Sequence, residues 1–192
     1  MLFRSSRLLA HLSITSPILC CHSYGVPIGL EWAARHPVTG LILIAGGTHN
    51  LDPWWERPLM TLMDLGLRHL FPLPAMQRWA QTLISAQRTP SMVDCFAENP
   101  IPTDGHSYKA LKIFWDYDRF ARGEQEHLWT IPALVITGGQ DPTFNFSMGE
   151  KLLSHFRNSR HLHVPQAGHL VMAEYPAVVN AAITDWRAEL IP

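Results

Sequence analysis

Three side chains that are weak reagents alone become a hydrolytic set when brought together, and this chain carries each in a distinctive context. Ser23 lies in Cys21-His22-Ser23-Tyr24-Gly25, Asp141 in Gly138-Gly139-Gln140-Asp141, and His169 in Gln166-Ala167-Gly168-His169. A serine hydroxyl is a poor nucleophile until a neighbouring imidazole removes its proton, and the imidazole needs a carboxylate to orient it. The chemistry such a set performs is acyl transfer: serine attacks a carbonyl carbon and histidine passes the proton to the leaving group. The Ser23 segment reads as a nucleophile elbow, a sharp strand-to-helix turn that lifts the hydroxyl above a sheet. The turn wants small residues two before and two after the serine, so that strand and helix cross closely. Gly25 meets that demand, whereas Cys21 stands where glycine is usual and departs from the pattern as a small buried hydrophobe.

Each residue has a competing reading. Asp141, followed by Pro142, also suits a loop or helix cap. Asp116 and Asp118 compete by type, but they fall in a stretch with helical pattern rather than at a strand end. Most of the eleven histidines must be structural or solvated. His22 is expected to pack beside the nucleophile, and one of His161 and His163 to face outward from its strand.

The elements that position these groups follow from hydrophobic patterning. The run Pro17 to Cys21 has strand character, and Val26 to His36 has helical spacing that stops before Pro37. Leu41 to Ala45 and Ala133 to Thr137 are continuous apolar runs, each ending in a glycine pair. Continuous apolar strands are buried on both faces, as in a parallel sheet. A shorter strand, Leu162 to Val164, follows a helix from Phe146 to Phe156, and a last helix runs from Pro176 to Leu190. Ser23, Asp141 and His169 each follow the carboxyl end of a strand. Residues 48–132 hold most of the tryptophans and no convincing strand; helical stretches at 59–70, 75–87, 91–98 and 108–120 are separated by prolines. This segment is expected to be a helical cap over the sheet's carboxyl edge, with residues 1–47 and 133–192 forming the core.

Composition narrows the class. The 192 residues are 47% hydrophobic and 16% charged with a net charge of -1, the profile of an ordinary globular chain with no nucleic-acid footprint. The three cysteines have neither disulfide-framework nor zinc spacing, and Cys20 and Cys21 are expected as reduced residues of a buried strand. That favours the cytoplasm. Arg4, Arg7 and the apolar stretch behind them imitate a signal peptide, but His11, Ser13, Thr15, Ser16 and Pro17 interrupt it, and a helix from Phe3 to Leu12 is expected instead. No run approaches the roughly 20 apolar residues that span a bilayer. No metal or organic cofactor is implied.

The segments His22-Ser23-Tyr24-Gly25, Trp32-Ala33-Ala34-Arg35-His36-Pro37, Gly138-Gly139-Gln140-Asp141 and Ala167 to Pro176 resemble the α/β-hydrolase superfamily. Within it, they are similar to the branch of abhydrolase domain-containing protein 8, whose elbow also reads His-Ser-Tyr-Gly-Val. The resemblance implies a Ser23-Asp141-His169 triad and the Tyr24 backbone N–H as an oxyanion donor. It also implies a partial α/β-hydrolase fold: a parallel half-sheet equivalent to the family's strands five to eight, with its first strand an open edge inviting association. The family's second oxyanion donor comes from a loop after strand three that has no counterpart here. Loss of one donor costs about 2.7 to 4 kcal/mol, a rate factor of roughly 10² to 10³. A His-x4-Asp motif linked to acyl transfer in a related branch is not met, since Glu174 stands at its acidic position.

Two functions follow. One is a serine hydrolase of carboxylic esters, acting on a small-molecule ester or acyl substrate, lipid-like if Trp54, Trp55, Leu62, Met63, Phe71, Met76 and Trp79 line an acyl pocket rather than form plain cap core. The other is a catalytically silent truncated hydrolase or binding protein that keeps the triad as inheritance. Serine as the nucleophile argues against the family's haloalkane and epoxide hydrolases, which use aspartate.

Overall fold

The computed structural model describes residues 2–47 and 130–190, with isolated positions at 58, 61–62, 65–66, 69 and 73–75 between them. The expected cap helices lie largely outside the described residues, and Asp116 and Asp118 lie wholly outside them. The described chain runs α1 (Leu2–His11), β1 (Ile18–His22), α2 (Gly25–Ala33), β2 (Gly40–Ile44), β3 (Ala133–Gly138), α3 (Phe146–Leu153), β4 (Ser159–Val164), α4 (Val171–Glu174) and α5 (Pro176–Leu190).

The four strands form one sheet in the order β1-β2-β3-β4, and every pairing is parallel. This is the four-stranded parallel half-sheet that the resemblance implies. Two-residue alternation divides the central strands between two cores. Leu41, Leu43, Ala133 and Val135 pack on one face with Val26 and Leu30 of α2, Leu152 of α3, Phe144 and Phe156. Ile42, Ile44, Leu134 and Ile136 pack on the other with Val171 of α4 and Val179 and Trp186 of α5. Helices therefore cover both faces, which is why β2 and β3 are buried at every position. Helix α3 begins at a strong cap: the Asn145 side chain accepts the Met148 backbone N–H at 3.2 Å. Among the described residues, no helix is long and apolar enough to cross a membrane.

Three expectations need correction. Strand β4 starts at Ser159, three residues before the apolar signal, because it lies at one end of the sheet order and alternates Leu162 and Val164 inward with polar residues between. His161 and His163 share one face, as residues two apart in a strand must. Both rings approach the Thr137 hydroxyl, at 2.8 and 3.0 Å, and both contact Phe146. Cys20 and Cys21 are free thiols, but only Cys21 packs against the core; Cys20 is exposed, because β1 is also a terminal strand.

The departure at Cys21 has a structural answer. A Cβ at Gly25 would meet Cys21 only at ordinary van der Waals distance, 3.8 Å, whereas a Cβ at Gly29 would collide with the Cys21 sulfur. The close crossing of β1 and α2 thus falls one turn further along the helix than the elbow pattern suggests. Glycine inside a helix forgoes about 1 kcal/mol of propensity relative to alanine, and at position 29 that loss makes room for the thiol. Gly29→Ala is expected to lower the unfolding midpoint in the native background and to raise it, by about 1 kcal/mol of stability, in a Cys21→Gly background. Chemical denaturation of the four proteins in this cycle measures the coupling.

Candidate active site

The three chemistry-bearing residues converge at the carboxyl edge of the sheet. Ser23 follows the last residue of β1, Asp141 lies three residues beyond β3, and His169 sits in the loop between β4 and α4. The His169 Nε2 lies 2.9 Å from the Ser23 hydroxyl, and its Nδ1 lies 2.8 Å from Asp141 Oδ2. A carboxylate only accepts, so Nδ1 carries the proton and Nε2 presents a lone pair to the Ser23 O–H. Ser23 itself has φ of 52°, in the left-handed region, and its backbone N–H continues the sheet by donating to Ile44 O at 2.8 Å. The elbow is thus anchored by its strand partner while its side chain is turned out of the strand.

Asp141 divides its contacts between the loop and the histidine, one oxygen each. Its Oδ1 accepts the Thr143 N–H at 2.7 Å, the Thr143 hydroxyl at 2.6 Å and the Phe144 N–H at 3.0 Å, while Oδ2 faces His169. Burial pushes its carboxyl up. That effect is outweighed by the hydrogen bond and charge of His169 and by the Thr143 donors, so the carboxyl ends below its ordinary value. Thr143 was not among the expected site residues. Having given its only hydroxyl proton to Oδ1, it offers a lone pair to His169 Nδ1–H at 2.8 Å, closing a small ring around the imidazole. A threonine two residues after the acid is the signal in the sequence, and it is a common one.

The loop carrying His169 is held from several sides. A Cβ at Gly138 would strike the carbonyls of Ala167 and Gly168, so the Gly138-Gly139 pair marks where that loop lies against the end of β3. Gln140 N–H donates to Ala167 O at 2.8 Å. Glu174, almost fully buried, accepts the Gly168 N–H on both carboxylate oxygens, at 3.1 and 3.0 Å. The acidic residue five places after the histidine therefore supports the loop's backbone. His22, expected only to pack, lies with Nε2 3.1 Å from His169 O and its ring centroid 5.0 Å from the His169 ring. Tyr24 follows Ser23 directly and stands at the N-terminal end of α2, where the helix dipole favours negative charge. Burial, and after it the neighbouring Cys20, pushes the Cys21 thiol up to about 11, which keeps it protonated.

The pattern of the Alpha/beta hydrolase family matches residues 3–182, and the chain belongs to that family. Over its length it is similar to the uncharacterized hydrolase YugF of Bacillus subtilis (strain 168), at 25% identity over 197 aligned positions covering 93% of this chain and 68% of that protein. A shorter stretch of 81 positions is 35% identical to the esterase YbfF of Escherichia coli (strain K12), covering 42% of this chain and 32% of that esterase. Among solved structures, an esterase from Exiguobacterium antarcticum superposes with a TM-score of 0.69 at 16% identity, covering 97% of this chain and 72% of that one. An α/β hydrolase fold protein from Burkholderia ambifaria gives 0.72 at 19% identity, covering 96% and 71%. The chain thus spans only part of the length of each protein it resembles.

Substitutions at two positions test the local physics. A non-glycine residue in the left-handed region costs about 1 to 2 kcal/mol, so Ser23→Gly should unfold at higher denaturant than Ser23→Ala, by about 1 kcal/mol. Glu174→Ala leaves the buried Gly168 N–H without this acceptor and should lower stability by about 1 to 3 kcal/mol. Glu174→Gln retains an amide oxygen and should lose clearly less in the same urea titration.

Proposed function

We propose that the protein is a serine hydrolase of carboxylic esters that works through Ser23, Asp141 and His169. The observation that carries this reading is the unbroken hydrogen-bonded line from Asp141 Oδ2 through the His169 ring to the Ser23 hydroxyl. In the first half-reaction Ser23 Oγ bonds to the ester carbonyl carbon as its proton moves to His169 Nε2. The carbonyl oxygen becomes an oxyanion beside the Tyr24 backbone N–H and the N-terminus of α2. The carbon–alkoxide bond then breaks, His169 returns the proton to the departing alcohol, and the acyl group stays on Ser23. Water then bonds to the acyl carbon as its proton moves to Nε2, the Ser23 Oγ–carbon bond breaks, and Nε2 returns the proton to Ser23 Oγ as the acid leaves. Asp141 keeps the proton on Nδ1 throughout and stabilises the imidazolium.

The proposal includes a cap formed by 48–132, a segment that lies largely outside the described residues. Strands β2 and β3 are sheet neighbours, so all of 45–132 leaves and re-enters at adjacent strands. It departs from the same carboxyl edge that carries Ser23, where α/β sheets take their ligands. Of the apolar residues assigned to an acyl pocket, Leu62 is described and is exposed. The proposal includes a small-molecule ester or acyl substrate, a reducing cytoplasmic setting suited to the free thiols of Cys20 and Cys21, and association through the β1 edge.

A fluorophosphonate probe tests the reading with no assumption about substrate. Folded protein should label covalently, and Ser23→Ala should not label at all. Asp141→Asn should label slower by about 10³ to 10⁴, since it leaves the imidazole in the wrong tautomer. Hydrolysis of p-nitrophenyl esters of graded acyl length would then report chain preference. A folded sample that takes up no probe would establish the silent alternative.

A further inference from the structure

Building on the proposed triad, we infer that His22 is a positioning residue for the base, tying the strand that carries the nucleophile to the loop that carries His169. The need for such a tie follows from the topology. Ser23 follows β1 and His169 follows β4, the two ends of the sheet order, with β2 and β3 between them. Neighbouring strands lie about 4.8 Å apart, so the His169 loop must reach back over two strands to meet the serine. The contacts that hold it on the β3 side are the close approach to Gly138, the Gln140–Ala167 hydrogen bond and the Asp141–Thr143 ring. None of these sets the distance to β1.

His22 does, because it is the last residue of β1 and the immediate neighbour of Ser23. Its Nε2 lies 3.1 Å from the main-chain oxygen of His169 itself, with the two rings tilted against each other. A carbonyl only accepts, so the His22 ring donates, which places its proton on Nε2. The contact thus acts on the backbone of the base rather than on its reacting nitrogens, and it leaves Nδ1 to Asp141 and Nε2 to Ser23. Burial, and after it the charge of His169, pushes His22 down to about 4, against smaller opposing pulls from the same hydrogen bond and from Asp141. The ring therefore stays neutral while His169 cycles through its protonated form. A displacement of about 1 Å in a catalytic group costs on the order of 10²-fold in rate, so an uncharged, directional hold on the base is worth keeping at this position.

The discriminating pair is His22→Phe, which keeps a ring of similar bulk, and His22→Gln, which keeps an N–H donor at similar reach. His22→Phe should slow fluorophosphonate labelling at least 10-fold and lower kcat on a p-nitrophenyl ester with little change in KM. His22→Gln should return to within about 3-fold of the native rate. Proton NMR gives a readout independent of activity: the downfield His169 Nδ1–H resonance should be present in native protein and His22→Gln, and broadened or lost in His22→Phe. An unchanged resonance in folded His22→Phe overturns the inference whatever the labelling shows. A resonance that responds as expected in a native protein that never labels leaves the positioning role standing and removes the proposed hydrolysis instead.

Discussion

Parallel pairing of four strands is the constraint on which the rest of this structure depends. Because every strand runs the same way, every carboxyl end falls on one edge, and residues 146 positions apart in the chain meet there within hydrogen-bond distance. Parallel pairing also forces a crossover between neighbours; α2 and α3 lie in two of these crossovers and pack on one face, while α5, which follows the last strand, covers the other. Burial of β2 and β3 on both faces follows, and so does the continuous apolar composition that made those strands visible.

At the functional edge the apolar logic gives way to polar satisfaction. Asp141 and Glu174 are buried carboxylates, a class of group that persists inside a protein only when its oxygens are hydrogen-bonded. Asp141 meets that condition with loop amides, a hydroxyl and the imidazole; Glu174 meets it with the amide preceding His169. The groups that would otherwise be costly are thereby turned into fixed points for the loops bearing Asp141 and His169. His22 adds a third fixed point from β1, the strand that precedes Ser23.

Much of this was legible from residue order. The continuous runs at Leu41 and Ala133 announced buried parallel strands, the turn around Ser23 announced the elbow, and the strand-end positions of Asp141 and His169 announced that they share an edge. Strand β4 was half hidden, because a terminal strand alternates polar and apolar residues and only Leu162 and Val164 carried a signal. Cys20 was misplaced into the core for a related reason: apolar composition reports capacity for burial, and a strand at the end of the sheet order leaves some of that capacity unused. Thr143 escaped notice because its contribution is a hydroxyl angle, which leaves no pattern in the chain. His22 and Glu174 escaped for the opposite reason: each has an ordinary alternative reading that only a contact across the fold displaces.

Taken alone, the amino-acid sequence determined the order of the four strands and the candidate residues at their ends, because periodicity, turn chemistry and strand-end placement are local properties written within a few residues; the family came from the resemblance of its motifs. Tertiary structure alone decided which groups hold those residues in place: Glu174 on Gly168, Thr143 between Asp141 and His169, Gly29 against Cys21, and His22 on His169. Each of these is a contact whose geometry depends on how strands and loops cross. A distance of about 3 Å between residues separated by a whole sheet is set by packing, on which the spacing of residues along the chain is silent.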